Sequence, residues 1–152
     1  MNGGGLLTGV RVLDLTQGVT GPYATKLFAD FGAEVIKVEH PNVGDVARRM
    51  GPFPDDEPHL ERSGAFLHSN TNKLGVTLNI KSEPGQRVLR RLLENADVFV
   101  EGFRPGVMEG LGFGYERVRE INPAIVMASV SNFGHWGPYR DFELTELTAY
   151  AV

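Results

Sequence analysis

The chain has 152 residues, enough for one domain with a real core, and its 41% hydrophobic and 22% charged content excludes a disordered or fibrous protein. A formal charge of −4, with no basic run longer than Arg48–Arg49 or Arg90–Arg91, gives no electrostatic footprint for nucleic acid. The absence of cysteine excludes disulfides, CxxC zinc sites and thiol nucleophiles, and agrees with a cytoplasmic setting.

Residues 1–6 read as a flexible lead without the basic and apolar regions of a signal peptide, and no later run approaches membrane-spanning length. Val10, Val12, Leu13 and Leu15 form an apolar run that halts at Thr16, as expected of a strand buried on both faces of a parallel sheet. In the following QGVTGP, Gly18 and Gly21 permit tight backbone geometry, Thr20 can cap, and Pro22 suits a first helical position. Leu27, Phe28 and Phe31 supply an apolar helical face, Gly32 stops the helix, and Val35, Ile36 and Val38 form the next strand. Such a unit aims free N–H groups and the positive end of a helix above the strand ends, where phosphate or carboxylate is the natural occupant.

From Pro41 to Ser69, with PFPDDEP at its centre, the chain reads as an irregular surface excursion. Val76, Leu78 and Ile80 alternate as a strand. Ser82–Ala96 is a helix, with Pro84 early and Val88, Leu89, Leu92 and Leu93 at helical spacing, and Asp97–Val100 is a strand. Arg104–Leu111 and Tyr115–Ile121 look like short helices and Ala124–Val130 like a further strand. The alternation predicts an α/β fold, a Rossmann-like doubly wound, mostly parallel sheet. A helix that starts near Leu144 and has no cap by Val152 suggests the N-terminal piece of a longer protein, its domain (7–152) cut short at the C-terminal end.

Three chemical signals fail. The string GLGFG at Gly110–Gly114 follows a helix and lacks the third glycine of a dinucleotide fingerprint. His40, His59, His68 and His135 show no HxxxH spacing, so no metal site is expected, and no GxSxG elbow supports a serine triad.

The blocks VLDLTQGVTGPYATKLFADFGAEVIKVEHP, NTNKLGVTLNIKS, ADVFVEGFRPGVMEGLGF and INPAIVMASVSNFGHWGPYRD resemble, in order, the N-terminal part of family III CoA-transferases, the formyl-CoA transferase and carnitine CoA-transferase (CaiB/BaiF) group. The resemblance runs from Leu7 to the last residue. It implies an enzyme acting on coenzyme A esters as substrate, with no permanently bound cofactor, in a homodimer whose partners are an acyl-CoA and a carboxylic acid acceptor. It implies that the loop Gln17, Gly18, Val19 and Thr20 lies near the thioester, that His40 meets the adenine end, and that Leu78, Lys81, Gly102 and Phe103 are further CoA contacts. His40 and Gly110 stand where some members carry arginine, and Gly102 where asparagine is frequent, which implies a modified grip. Read without the resemblance, Lys81 is a solvated strand-end lysine, His40 a surface turn residue and Phe103 a plug over the sheet.

The implied chemistry needs a carboxylate nucleophile that passes CoA through a mixed anhydride and an enzyme thioester. The resemblance puts it beyond Val152, leaving Glu146 a supporting role, or the bland one of a helix-start glutamate. Two alternatives stand beside the transferase. In an acyl-CoA racemase of the same superfamily, a histidine is common where this chain has Thr145, which disfavours it. The other is a non-catalytic CoA-binding or assembly fragment, and the 152 residues alone are expected to be inactive.

Overall fold

A computed structural model describes residues 5–145. In chain order its elements are β1 (Arg11–Leu15), α1 (Thr20–Asp30), β2 (Glu34–Glu39), α2 (Gly64–Asn70), β3 (Leu74–Thr77), α3 (Glu83–Leu93), β4 (Val98–Glu101), α4 (Val107–Gly110), α5 (Tyr115–Ile121) and β5 (Val126–Ser129). The strands form one sheet in the order β3-β2-β1-β4-β5, every pair parallel, with Leu13 beside Ile36 on one flank and Phe99 on the other. The fold is therefore α/β with a doubly wound sheet, and the chain reverses its direction of travel across the sheet between β1 and β4.

The period-two alternation of β1 divides the core. Leu13 and Leu15 pack with Leu89, Leu93, Phe99, Met108, Phe113 and Val118, beneath α3, α4 and α5. Val12 points the other way, onto Val35, Val100, Ala29 and Ala33, beneath α1. Each fully buried side chain of this kind contributes about 1.5–3 kcal/mol relative to leaving it in water.

Several local expectations differ from the structure. Val19, not Thr20, is the N-cap of α1, and no side chain caps it; Pro22 is the third helical residue, still within the turn whose N–H groups lack carbonyl partners. The helix meets the sheet through small residues, burying Gly21, Pro22, Thr25 and Ala29, while Leu27 and Phe31 remain 39% and 51% exposed. Close approach by the small face turns the larger side chains outward. The strand expected at Val76–Ile80 is instead Leu74–Thr77. Leu78 still donates its amide to Glu39 O, but Asn79 then accepts from Ser82 N and Lys81 N and bends the chain toward α3.

The 41–69 segment keeps the expected exposed, irregular stretch over residues 50–62, but on either side of it the chain is ordered by its own caps. Asp45 Oδ1 accepts Ala47 N–H to start a short 3-10 turn at Val46–Arg49, a second such turn covers Pro54–Asp56, and Ser63 Oγ accepts Phe66 N–H to start α2. Both capping side chains belong to fully buried residues. Glu146 and the helix expected to continue to Val152 lie outside the described residues. No helix among those described is long and apolar enough to cross a membrane.

Candidate functional site

In an open parallel sheet, ligands bind beyond the carboxyl ends of the strands where the winding reverses. Here that place lies between the loop after β1, Thr16–Val19, and the loop after β4, Gly102–Gly106. Two clefts open there. One, of about 340 Å³, is lined largely by aliphatic side chains, among them Leu15, Val38, Val43 and Ile80, and collects Gln17, His40, Leu78, Lys81 and Phe103. The other, of about 330 Å³, is more polar and collects Gln17, Val19, Thr20 and Gly102 with Ser131 and Asn132. Eight of the nine residues singled out from the resemblance therefore line these two spaces, and Gln17 lines both. Phe103 also packs against the core beside Leu78 and Ile80, so its plugging and lining roles coexist.

The ninth, Gly18, faces downward. Its φ of +79° is in the left-handed region, and its N–H donates to Asp45 Oδ1 at 2.8 Å. Thr16 N–H is likewise spent, on Asp14 Oδ1 at 2.9 Å. The turn thus does not offer all its amides to a ligand, as its sequence suggests. Gly21 also has a packing use, because a Cβ there would stand 2.4 Å from Thr16 Cβ.

Beneath the turn is a buried array of ions that sequence reasoning missed. Asp14, fully buried, accepts from the Thr16 hydroxyl (2.5 Å), the Thr25 hydroxyl (2.6 Å) and Lys73 Nζ (3.0 Å). Burial alone would raise its carboxyl pKa, but Lys37, Lys73 and the two hydroxyls together hold it below the usual carboxylate range. Lys37 Nζ donates to Thr16 O at 2.9 Å and pairs with Asp45 Oδ2 at 2.7 Å. Asp45 N–H donates to Glu39 Oε2, and Glu39 holds Arg48 in a two-pronged pair at 2.7 and 2.8 Å. Glu39 too lies below its ordinary value; its burial opposes this, and the Arg48 and Asp45 hydrogen bonds outweigh that. Arg48 then covers the Phe66 ring at 3.7 Å, joining the 41–63 segment to α2. Among the described residues no cluster of His, Asp or Glu is arranged to hold a metal ion.

The family model for CoA-transferase family III matches residues 7–152. The chain belongs to that family. The formyl-CoA:oxalate CoA-transferase of Bradyrhizobium diazoefficiens is 45% identical to this family III chain over 143 residues, which cover 94% of the chain and 32% of the relative. That of Streptomyces coelicolor is 45% identical over 147 residues, covering 96% and 34%. Among solved structures, Rv3272 of Mycobacterium tuberculosis superposes with a TM-score of 0.87 at 39% identity, covering 99% of this chain and 41% of that one. A CaiB/BaiF family protein of Brucella suis gives 0.82 at 34% identity, covering 91% and 36%. The chain spans about a third of the length of the curated relatives it matches.

Proposed function

We propose that the chain is the N-terminal portion of an enzyme that moves CoA between an acyl-CoA and a carboxylic acid, and that the two clefts hold the two ends of the CoA ester. The reading is carried by one observation: the residues marked by the family resemblance gather around two adjoining clefts that share Gln17. CoA is long, with a charged nucleotide at one end and a thioester at the other. The aliphatic cleft suits the nucleotide end, with His40 and Lys81 as its polar contacts and Leu78 and Phe103 as its walls. The cleft beside Val19, Thr20 and Gly102 suits the thioester, where the positive start of α1 favours an oxygen gaining negative charge.

In this reading a carboxylate from outside residues 5–145, expected beyond Val152, attacks the thioester carbonyl. The C–S bond breaks, CoA leaves as thiolate, and a mixed anhydride remains. CoA thiolate attacks the enzyme acyl carbon, releasing the first acid and leaving an enzyme thioester. The acceptor carboxylate attacks that thioester, expelling CoA thiolate and forming a second anhydride. The thiolate then attacks the acceptor's acyl carbon, giving the new acyl-CoA and freeing the enzyme carboxylate. Glu146 supports that site, and the intact protein works as a homodimer.

The relatives' names suggest formyl-CoA and oxalate as the first pair to assay. The full-length protein, incubated with acyl-CoA and then hydroxylamine or borohydride, should carry a modification on one carboxylate C-terminal to Val152. Modification of Glu146 would make that residue the nucleophile instead. With an acyl-CoA that carries an α-hydrogen, which formyl-CoA does not, deuterium uptake at that carbon with no trapped carboxylate would replace the transferase by a racemase.

A further inference from the structure

We propose that Asp45, paired with Lys37, is a positioning residue that aims Gln17 from beneath the site; the inference rests on the CoA-transferase reading. Gln17 is exposed and stands between the two clefts, so the direction of its side chain matters to both. Its backbone is flanked by two peptide planes. The Thr16–Gln17 plane is held through Thr16 O, which accepts from Lys37 Nζ at 2.9 Å. The Gln17–Gly18 plane is held through Gly18 N–H, which donates to Asp45 Oδ1 at 2.8 Å. Asp45 and Lys37 are themselves joined at 2.7 Å and are 0% and 2% exposed. One buried ion pair therefore fixes both backbone torsions of Gln17 while neither partner lines a cleft.

A buried ion pair is a poor device for stability, because desolvation offsets most of the attraction. Its use here is geometric. Asp45 is tied in turn through its own N–H to Glu39, and its Oδ1 also accepts Ala47 N–H at 2.8 Å, so the grip is braced from β2 and from the 3-10 turn after it. Loss of the pair leaves Gln17 in place but lets both peptide planes rotate. A misplacement of about 1 Å in such a group can cost roughly 100-fold in rate.

The test uses the full-length protein with acyl-CoA and an acceptor acid, comparing Gln17→Ala, Asp45→Ala and the double variant. Asp45→Ala should lower kcat by about 10–100-fold while KM for acyl-CoA stays within about threefold. Added to Gln17→Ala it should cost no more than about twofold, since the group being aimed is already gone. Multiplying losses in the double variant would overturn the proposal and show a general structural role. Amide exchange supplies a readout independent of turnover: Asp45→Ala should speed exchange at Gly18 at least about tenfold and leave Leu13 and Val35 unchanged. An unchanged Gly18 rate overturns the proposal even if the wild type proves inactive, whereas inactivity of the wild type alone defeats only the transferase reading. Where Asp45→Ala fails to fold, Asp45→Asn tests the Lys37 arm alone. It keeps an acceptor for Gly18, so Gly18 exchange should stay slow, while kcat should still fall and should fall no more than about twofold further on top of Gln17→Ala; multiplying losses would again overturn the proposal.

Discussion

Replacing Gly21 by alanine sets two well-known tendencies against each other. Gly21 is a helical residue, and in an open helix the change would be favourable by up to about 1 kcal/mol. Here the new Cβ would lie 2.4, 2.5 and 2.6 Å from Thr16 Cβ, Cγ2 and Oγ1, against about 3.5 Å or more for ordinary contact. Something must move by about 1 Å. Thr16 cannot swing aside freely, since its hydroxyl is held 2.5 Å from Asp14 and it is 1% exposed. Overpacking of this kind costs about 1–3 kcal/mol, and a clash on a pinned side chain belongs near the top of that range. The net expectation is a loss of about 1–2 kcal/mol. In urea titration followed by circular dichroism, the midpoint should fall by about 0.5–1 M. Gly110 in α4 is the control, with nothing within 4 Å of an added Cβ, and alanine there should raise the midpoint. A Gly21→Ala variant as stable as the wild type would refute the claim that α1 is seated directly on Thr16.

Lys73→Met should cost about 3 kcal/mol, because it deprives buried Asp14 of a partner while also removing donors from Pro22 O and Asn70 Oδ1; urea titration at neutral pH measures it. Ser63→Ala should cost about 1–2 kcal/mol, since its hydroxyl caps α2 and lies 2.6 Å from both Ala47 O and Met50 O; the same titration tests it. Asp14 and Glu39 have depressed pKa values in the folded state, so the unfolded chain binds more protons on acidification. Their contribution is full above the ordinary carboxylate values near about 4 and is lost as pH falls through the lower folded values. Stability measured against pH should therefore drop below that point, and Asp14→Asn should be weaker at neutral pH with a shallower acid loss.

The β1–α1–β2 unit was legible because its apolar runs and glycines are local signals, and the limits of α5, Tyr115–Ile121, could be read directly from its spacing. The blocks that resemble the family marked nine residues, eight of which the fold brings to the two clefts, though the way they divide between the clefts was not legible. What stayed hidden were the partners of the turn. Lys37, in the sequence EVIKVE, reads as a lysine facing water, yet β2 is flanked by strands on both sides and its ammonium has to find a counterion indoors. Asp45 and Ser63 sit in a stretch whose prolines and acids suggest a surface loop, and short-range patterns do not show that both side chains are turned inward. A charged residue in a strand that must be central to a parallel sheet is the signal that could have prompted a search for Asp45.

The hydrogen bond from Gly18 to Asp45 spans 27 residues, and it has a temporal side. In a growing polypeptide Gly18 is made long before its acceptor, and the acceptor is useful only after β2 has paired with β1 and brought Lys37 under Thr16. The turn cannot complete its shape as it emerges. It is finished by sequence synthesised later, so the turn becomes competent only once β2 and the start of the segment after it have been made.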